Sequence, residues 1–398
     1  MRVRSPRQRH ISRIAVAILF TLFSWTALET LHIKRSLSLP PSSPPAELGG
    51  ERVFISAIHW NSEAILRSNW SSAVVELARE LGKDNVFVSI YESGSWDDTK
   101  GALRLLNAQL GESGVRTRIV LDATTHKEEV EKTPAEGEDG WIWTPTGKME
   151  LRRIRYLARQ RNRALEPLWE MTDEKFDKIL FVNDVVFTSD DVRQLLATRE
   201  GDYAAACSLD FATPPEFYDT FALRDSEGSE PLMRTWPIFR STASRRALQA
   251  NDPVPMQSCW NGMVAMEASP FYQEQLSFRG ISDSLAKHHL EGSECCLIHA
   301  DNAISETKGV WLNPRVRVGY DDVAYRAVNQ VPWPSSSQIV RGIWTNRLLR
   351  WLSTAYFRER KMADRVAEWQ QGSNEEEVGA MCLVDEMQVL MPNGWAHV

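Results

Sequence analysis

The sequence predicts an α/β protein, a mainly parallel sheet flanked by helices, behind one N-terminal transmembrane helix. Three observations predict it. Short runs rich in β-branched and aromatic residues at 53–58 (VFISAI), 85–91 (NVFVSIY) and 115–121 (VRTRIVL) alternate with helical segments, the spacing of βαβ units. Residues 176–191 (FDKILFVNDVVFTSDD) hold an apolar strand buried on both faces that stops abruptly at Asn183 and Asp184. Residues 11–28 form an apolar stretch preceded by Arg2, Arg4, Arg7 and Arg9.

At 398 residues the chain suits one large α/β domain with appendages. The formal net charge is −7 despite the basic first residues, which argues against a nucleic-acid partner. Five cysteines without C-x-x-C spacing exclude the usual zinc patterns; in an oxidising lumen they allow two disulfides and one thiol, with the pairing open.

In chain order, residues 1–10 read as a cytosolic tail and 11–33 as a signal anchor. No small-x-small cleavage site follows; Glu29, His32, Lys34 and Arg35 do. Arginines ahead of the span place the remainder on the lumenal side, a type II arrangement. Residues 34–50, rich in Pro and Ser, form a stem that cannot build a core. The globular domain covers 51–330, and 331–398 is a linker and helical extension expected to pack against the domain without adding chemistry.

Within the domain the strand at 53–58 leads into a helix at 64–81, which contains the N-glycosylation acceptor Asn69-Trp70-Ser71. After the strand at 85–91, Asp97 and Asp98 begin a helix that runs through Leu110. Residues 125–149 read as a long loop. In the basic helix at 150–165, Ile154, Leu157, Ala158, Arg161 and Leu165 fall on one stripe. A guanidinium on an apolar face demands an ion pair or a bound anion, so Arg161 is a candidate for either. Asp184, at the carboxyl end of a buried strand, stands where open α/β sheets bind ligands, and could hold a divalent cation against a diphosphate. Thr188 and the residues after it supply N-cap chemistry for a helix through Leu195 and Leu196.

The strand at 203–211 closes on Asp210 and opens into a loop with Phe217, Tyr218, Asp219, Arg224 and Asp225. Trp260, Asn261 and Gly262 make a turn before a strand at 263–266, with Gly262 able to admit a ligand close to the backbone. Residues 288–302 are rich in ligating side chains. If 295–300 is a strand, Glu294 begins it, and His299 and Asp301 share a face at its end; they could supply a base, a metal ligand and a hydroxyl acceptor.

The segments HWNSEAIL, NVFVSIYESGSWDDTK, LARQRNRAL, KILFVNDVVF, AACSLDF, SCWNGMVAM and GSECCLIHADN, in this order across residues 53–325, resemble the fungal CAP59 / cryptococcal α-1,3-mannosyltransferase family, glycosyltransferase family 69. The resemblance implies a GT-A-like (Rossmann-like) fold, a Golgi membrane location, GDP-mannose as donor, and a mannan or capsule-type glycan as acceptor. It implies a divalent cation, Mn²⁺, at the family's Asp-x-Asp, which is reduced here to Asn183-Asp184-Val185. It places Arg161, Asn162, Asn183 and Asp184 at the nucleotide sugar, and Asp184, His299 and Asp301 around the metal. Glu294 and Asp210 take the catalytic roles, and Trp260 and Asn261 face the acceptor. The single acid keeps two alternatives open: a non-catalytic Golgi scaffold or pseudoenzyme in polysaccharide assembly, and a transferase using another nucleotide sugar.

Overall fold

The computed structural model describes residues 6–40, 44–48, 50–145, 147–330, 332–352, 355–373 and 375–398. Parts of the expected tail (1–5) and stem (41–43 and 49) lie outside them.

A nine-stranded sheet organises the domain. Its strands are β1 (Val53–His59), β2 (Val86–Glu92), β3 (Arg116–Leu121), β4 (Lys178–Val182), β5 (Ala205–Phe211), β6 (Arg224–Asp225), β7 (Val254–Ser258), β8 (Met263–Glu267) and β9 (Val310–Gly319). Their spatial order is β3-β2-β1-β4-β8-β5-β9-β7-β6. β7 and β8 run against the others. Alternation along the central strands feeds two cores. Phe54, Ile179 and Phe181 meet Leu165 and Leu168 of the helix Arg153–Glu170. Val53, Ile55 and Leu180 meet Leu77, Leu103 and Val192 from helices on the other face. This is the α/β architecture expected from the sequence, with β4 central and buried along its whole length.

Several local expectations need correction. The segment read as a loop at 125–149 contains the helix His126–Glu131 and the first strand of a hairpin, Trp141–Trp143 with Met149–Leu151. Residues 295–300 are not a strand but lie in the helix Glu294–Ala300, whose N-cap Ser293 accepts the amide of Cys295. Gly262 (φ +85°) serves packing: a Cβ there would come within 2.5 Å of Val318 and 3.2 Å of Asp210. The extension beyond 331 forms helices Ser336–Leu352 and Ala355–Ser373, then a hairpin of Gln388–Met391 with Gly394–His397.

Disulfides join Cys207 to Cys259 and Cys296 to Cys382, and Cys295 is a buried thiol. The N-terminal helix is Pro6–Leu37, of which Arg13–Leu37 is long and apolar enough to cross a membrane, its 18-residue apolar window having a mean hydropathy of 1.8. Asn69 lies in a helical turn between the buried side chains of Leu66 and Trp70.

Candidate functional site

A cavity of about 660 Å³ opens at the carboxyl ends of β4 and β5. Arg153, Leu157 and Arg161 line it from one helix, Asn183 from the end of β4, and Tyr218 and Asp219 from the loop after β5. Ser293, Glu294 and Cys295 contribute the start of a second helix. Gln388, Trp395 and His397 close it from the C-terminal hairpin.

Arg161 is both ion-paired and cavity-lining. Its Nε donates to Glu294 Oε1 at 3.0 Å, while its guanidinium lies 4.6 Å from the centre of the Trp260 ring. Burial opposes its charge, but Cys295 and Glu294 more than offset that and raise its pKa. Among the described residues the Nη groups make no hydrogen bond within the chain, so they remain available to an anion.

Asn183 and Asp184 behave differently although they are adjacent. Asn183 is held by four neighbours: its amide donates to Gly262, its carbonyl accepts from Trp70 Nε1 and the Val185 amide, and its Oδ1 accepts from Trp260 Nε1. An ionised Asp at 183 would bring a further charge into this crowded corner. The Asp184 carboxylate accepts no hydrogen bond from another described side chain, and burial pushes its pKa up to about 6. Burial raises the hydroxyl pKa values of Tyr218 and Tyr320, and the Asp184 charge adds to this, after that of Asp210 in the case of Tyr320.

Asp210 is fully buried behind the cavity. It accepts from Tyr320 Oη at 3.1 Å, Asn261 Nδ2 at 3.3 Å and the Asp219 amide at 3.2 Å. Burial, then the charge of Asp219, pushes its pKa up to about 7. Asp219, which sequence reasoning did not single out as a site residue, lines the cavity itself, and burial raises its pKa too.

Of the remaining expected residues, Trp260 reaches the cavity and His299, Asp301, Asn261 and Asn162 do not. His299 is buried, with Nε2 2.7 Å from the Cys259 carbonyl, and burial lowers its pKa to about 4. Asp301 is clamped by Arg279, which also binds Glu377. Asp184, His299 and Asp301 therefore do not converge, and no three His, Cys, Asp or Glu among the described residues are grouped to hold an ion. Asp184 does not itself line the cavity; its desolvated carboxylate, without a hydrogen bond from another side chain, is the acid that would hold a cation at this strand end, with the ligand's oxygens completing the shell. Asn261 is buried and ties Asp210 to the Asp219 carbonyl, so it does not face an acceptor. Trp260 lines the cavity but is 1% exposed, backing Arg161 instead of offering a sugar platform. Asn162 bonds the backbone of Phe278 through both ends of its amide and does not line the cavity.

The hairpin wall was missed altogether. Arg153 Nη1 donates to Gln388 Oε1 at 2.6 Å and its guanidinium lies 4.6 Å from the Trp395 ring centre. His397 pairs with Glu386 at 3.3 Å. The aromatic and basic residues of the last strand were the available signal, but nothing local ties them to a helix more than two hundred positions upstream.

Comparison with known proteins then identifies the chain. The family described as Cryptococcal mannosyltransferase 1 matches residues 52–301. The chain belongs to this family. The family segment carries Arg161, Asp184, Asp210 and Glu294 but stops short of the hairpin. Alpha-1,3-mannosyltransferase CMT1 of Cryptococcus neoformans is 25% identical over 285 residues, covering 65% of this chain and 56% of that protein. Among solved structures, the mannosyltransferase PcManGT from Pyrobaculum calidifontis, in complex with GDP-Man and Mn²⁺, is 16% identical with a TM-score of 0.38, covering 93% of this chain and 89% of that one. TarS of S. aureus in complex with UDP is 10% identical with a TM-score of 0.37, covering 67% and 60%. Similarities of this size carry no mechanism.

Proposed function

We propose that the protein is a glycosyltransferase that moves mannose from GDP-mannose to a hydroxyl of a mannan or capsule-type glycan, forming an α-1,3 linkage with retention. The observation that carries this reading is Arg161, a buried, charged guanidinium with uncommitted Nη groups lining a cavity at the carboxyl end of the central strand. Family membership and the name of the 25%-identical relative support the sugar and the linkage.

In the transfer, the bond between the anomeric carbon and the diphosphate oxygen breaks, and a bond to the acceptor oxygen forms. The acceptor's proton passes to the departing phosphate or to a carboxylate. Negative charge builds on the diphosphate, and Arg161, already oriented by Glu294 and Trp260, stabilises it without reorganising. A divalent cation held by Asp184 would neutralise part of the same charge. Glu294 lines the cavity and is the carboxylate placed to steady an oxocarbenium-like centre or orient the acceptor hydroxyl. Asp210, walled off by Tyr320 and Asn261, acts through them as a positioning residue. The hairpin, with Trp395 44% exposed, forms the outer wall against which the glycan lies. The apolar N-terminal helix fits a type II Golgi anchor.

A non-catalytic scaffold is the second reading, favoured by the engagement of Asn183 with Trp260 where a second acid would stand. Full-length protein in nanodiscs is incubated with GDP-mannose, UDP-glucose or UDP-xylose, with and without a mannobiose acceptor and Mn²⁺, and nucleotide release is measured. Acceptor-stimulated GDP release supports transfer. GDP binding without turnover supports the scaffold, and release of UDP alone reassigns the donor.

A further inference from the structure

The helix Ser336–Leu352 runs antiparallel to the N-terminal helix. Lys34 Nζ meets Ser336 Oγ at 3.0 Å, and eight residues along each helix in opposite directions Trp344 Nε1 meets Thr26 Oγ1 at 3.1 Å. Arg347 and Glu29 form a part-buried ion pair at 2.7 Å. Its inward side is anchored to the domain through buried Ile339, Ile343 and Asn346, the last donating to the Phe239 carbonyl.

Beyond Arg347 the character of the helix changes. Leu348 is 49% exposed, Leu349 36%, Trp351 72% and Leu352 75%, a cluster that the domain does not cover. The N-terminal helix is likewise apolar ahead of Glu29, where it presents Phe20 (69%), Phe23 (73%), Trp25 (63%) and Leu28 (69%). From Trp344 to Leu352 the helix advances about 12 Å at 1.5 Å per residue, toward the apolar end of its neighbour. Arg350 is the charge within this stretch, and its Nε reaches back to Asn346 Oδ1 at 3.0 Å, the direction of the polar boundary.

We propose that the end of this helix, Leu348 to Leu352, enters the bilayer beside the transmembrane helix, so that the domain rests on the membrane at two points. The occupant of the patch is lipid, because in the register set by Lys34–Ser336 and Thr26–Trp344 the patch runs alongside the exposed Phe20 and Phe23 of the span and continues its apolar surface. A second contact fixes the rotation of the domain about its anchor, which a single helix and a stem cannot do. The proposal rests on the N-terminal helix being a membrane span, and its test separates the two.

The photocrosslinking residue p-benzoylphenylalanine replaces Phe20, Leu352 or Arg341, one at a time, in the full chain in nanodiscs containing radiolabelled phospholipid. Arg341 is exposed on the same helix, six residues before Arg347, and serves as the lipid-free control. Lipid adducts at 20 and at 352 are expected, each about tenfold above those at 341, as for side chains in hydrocarbon against water. Adduct at 20 with only the background of 341 at 352 overturns the proposal and leaves the anchor standing. No adduct at 20 removes the anchor and the proposal with it. Crosslinking of 352 to protein instead of lipid also overturns the proposal, in favour of a second chain.

Discussion

Replacing Arg161 by methionine (Arg161→Met) separates its two roles, as partner of Glu294 and as a binder of the donor's phosphates. Its side chain is 11% exposed and that of Glu294 3%, so the variant leaves a buried carboxylate without its cation. That loss costs about 3–5 kcal/mol of stability. One hydrogen bond between charged groups contributes about 1.5–3 kcal/mol, so GDP binding should weaken roughly ten- to a hundredfold. Glu294→Gln keeps an acceptor for Nε and removes a competing charge, so GDP binding should hold while turnover falls. The double variant Arg161→Met/Glu294→Gln should recover most of the lost stability and none of the lost affinity. Urea denaturation followed by tryptophan fluorescence gives the first quantity and calorimetric titration with GDP the second. A double variant that binds GDP as tightly as the wild type would show that Arg161 only holds Glu294 in place, and the phosphate role would fall.

Other expectations follow from the same geometry. Mn²⁺-dependent GDP affinity should decline as pH falls through about 6, where Asp184 takes up its proton, and Asp184→Asn should be weak and flat across that range; titrations at several pH values decide it. Trp395→Ala should raise the acceptor KM several-fold with donor affinity unchanged, and an effect on the donor instead would remove the hairpin from the acceptor side. Arg152, fully buried against Glu291 and Asp283, should cost about 3–5 kcal/mol as Arg152→Met, with much of it returning when Glu291→Gln is added, by chemical denaturation.

The sheet was legible because each central strand carries its own signal. Lys178–Val182 is buried throughout and apolar after its first residue, and it ends at Asn183, which lines the cavity. The helix of Arg161 was legible from its stripe, which gave the ion pair or anion contact as the two choices, and the structure contains the first with room for the second. The Glu294–Ala300 segment was misread because every residue from Glu294 to His299 is buried, so neither period shows. Its decisive feature, the Ser293 cap, is one residue long. The metal set failed for a related reason: with a helix in place of a strand, His299 turns to the Cys259 carbonyl and Asp301 to Arg279. The hairpin could not be read at all, since its importance lies in Arg153, far away in sequence.

The bridge from Cys296 to Cys382 joins the helix that begins with Glu294 to the stretch leading into the terminal hairpin. The inner and outer faces of the chamber are thus stitched together by one covalent link, across 86 positions of sequence. A chain made where thiols stay reduced could still build its sheet, yet the outer face would depend on weaker contacts such as Arg153 with Trp395. Completion of the chamber is in this sense tied to the oxidising surroundings in which such bridges form.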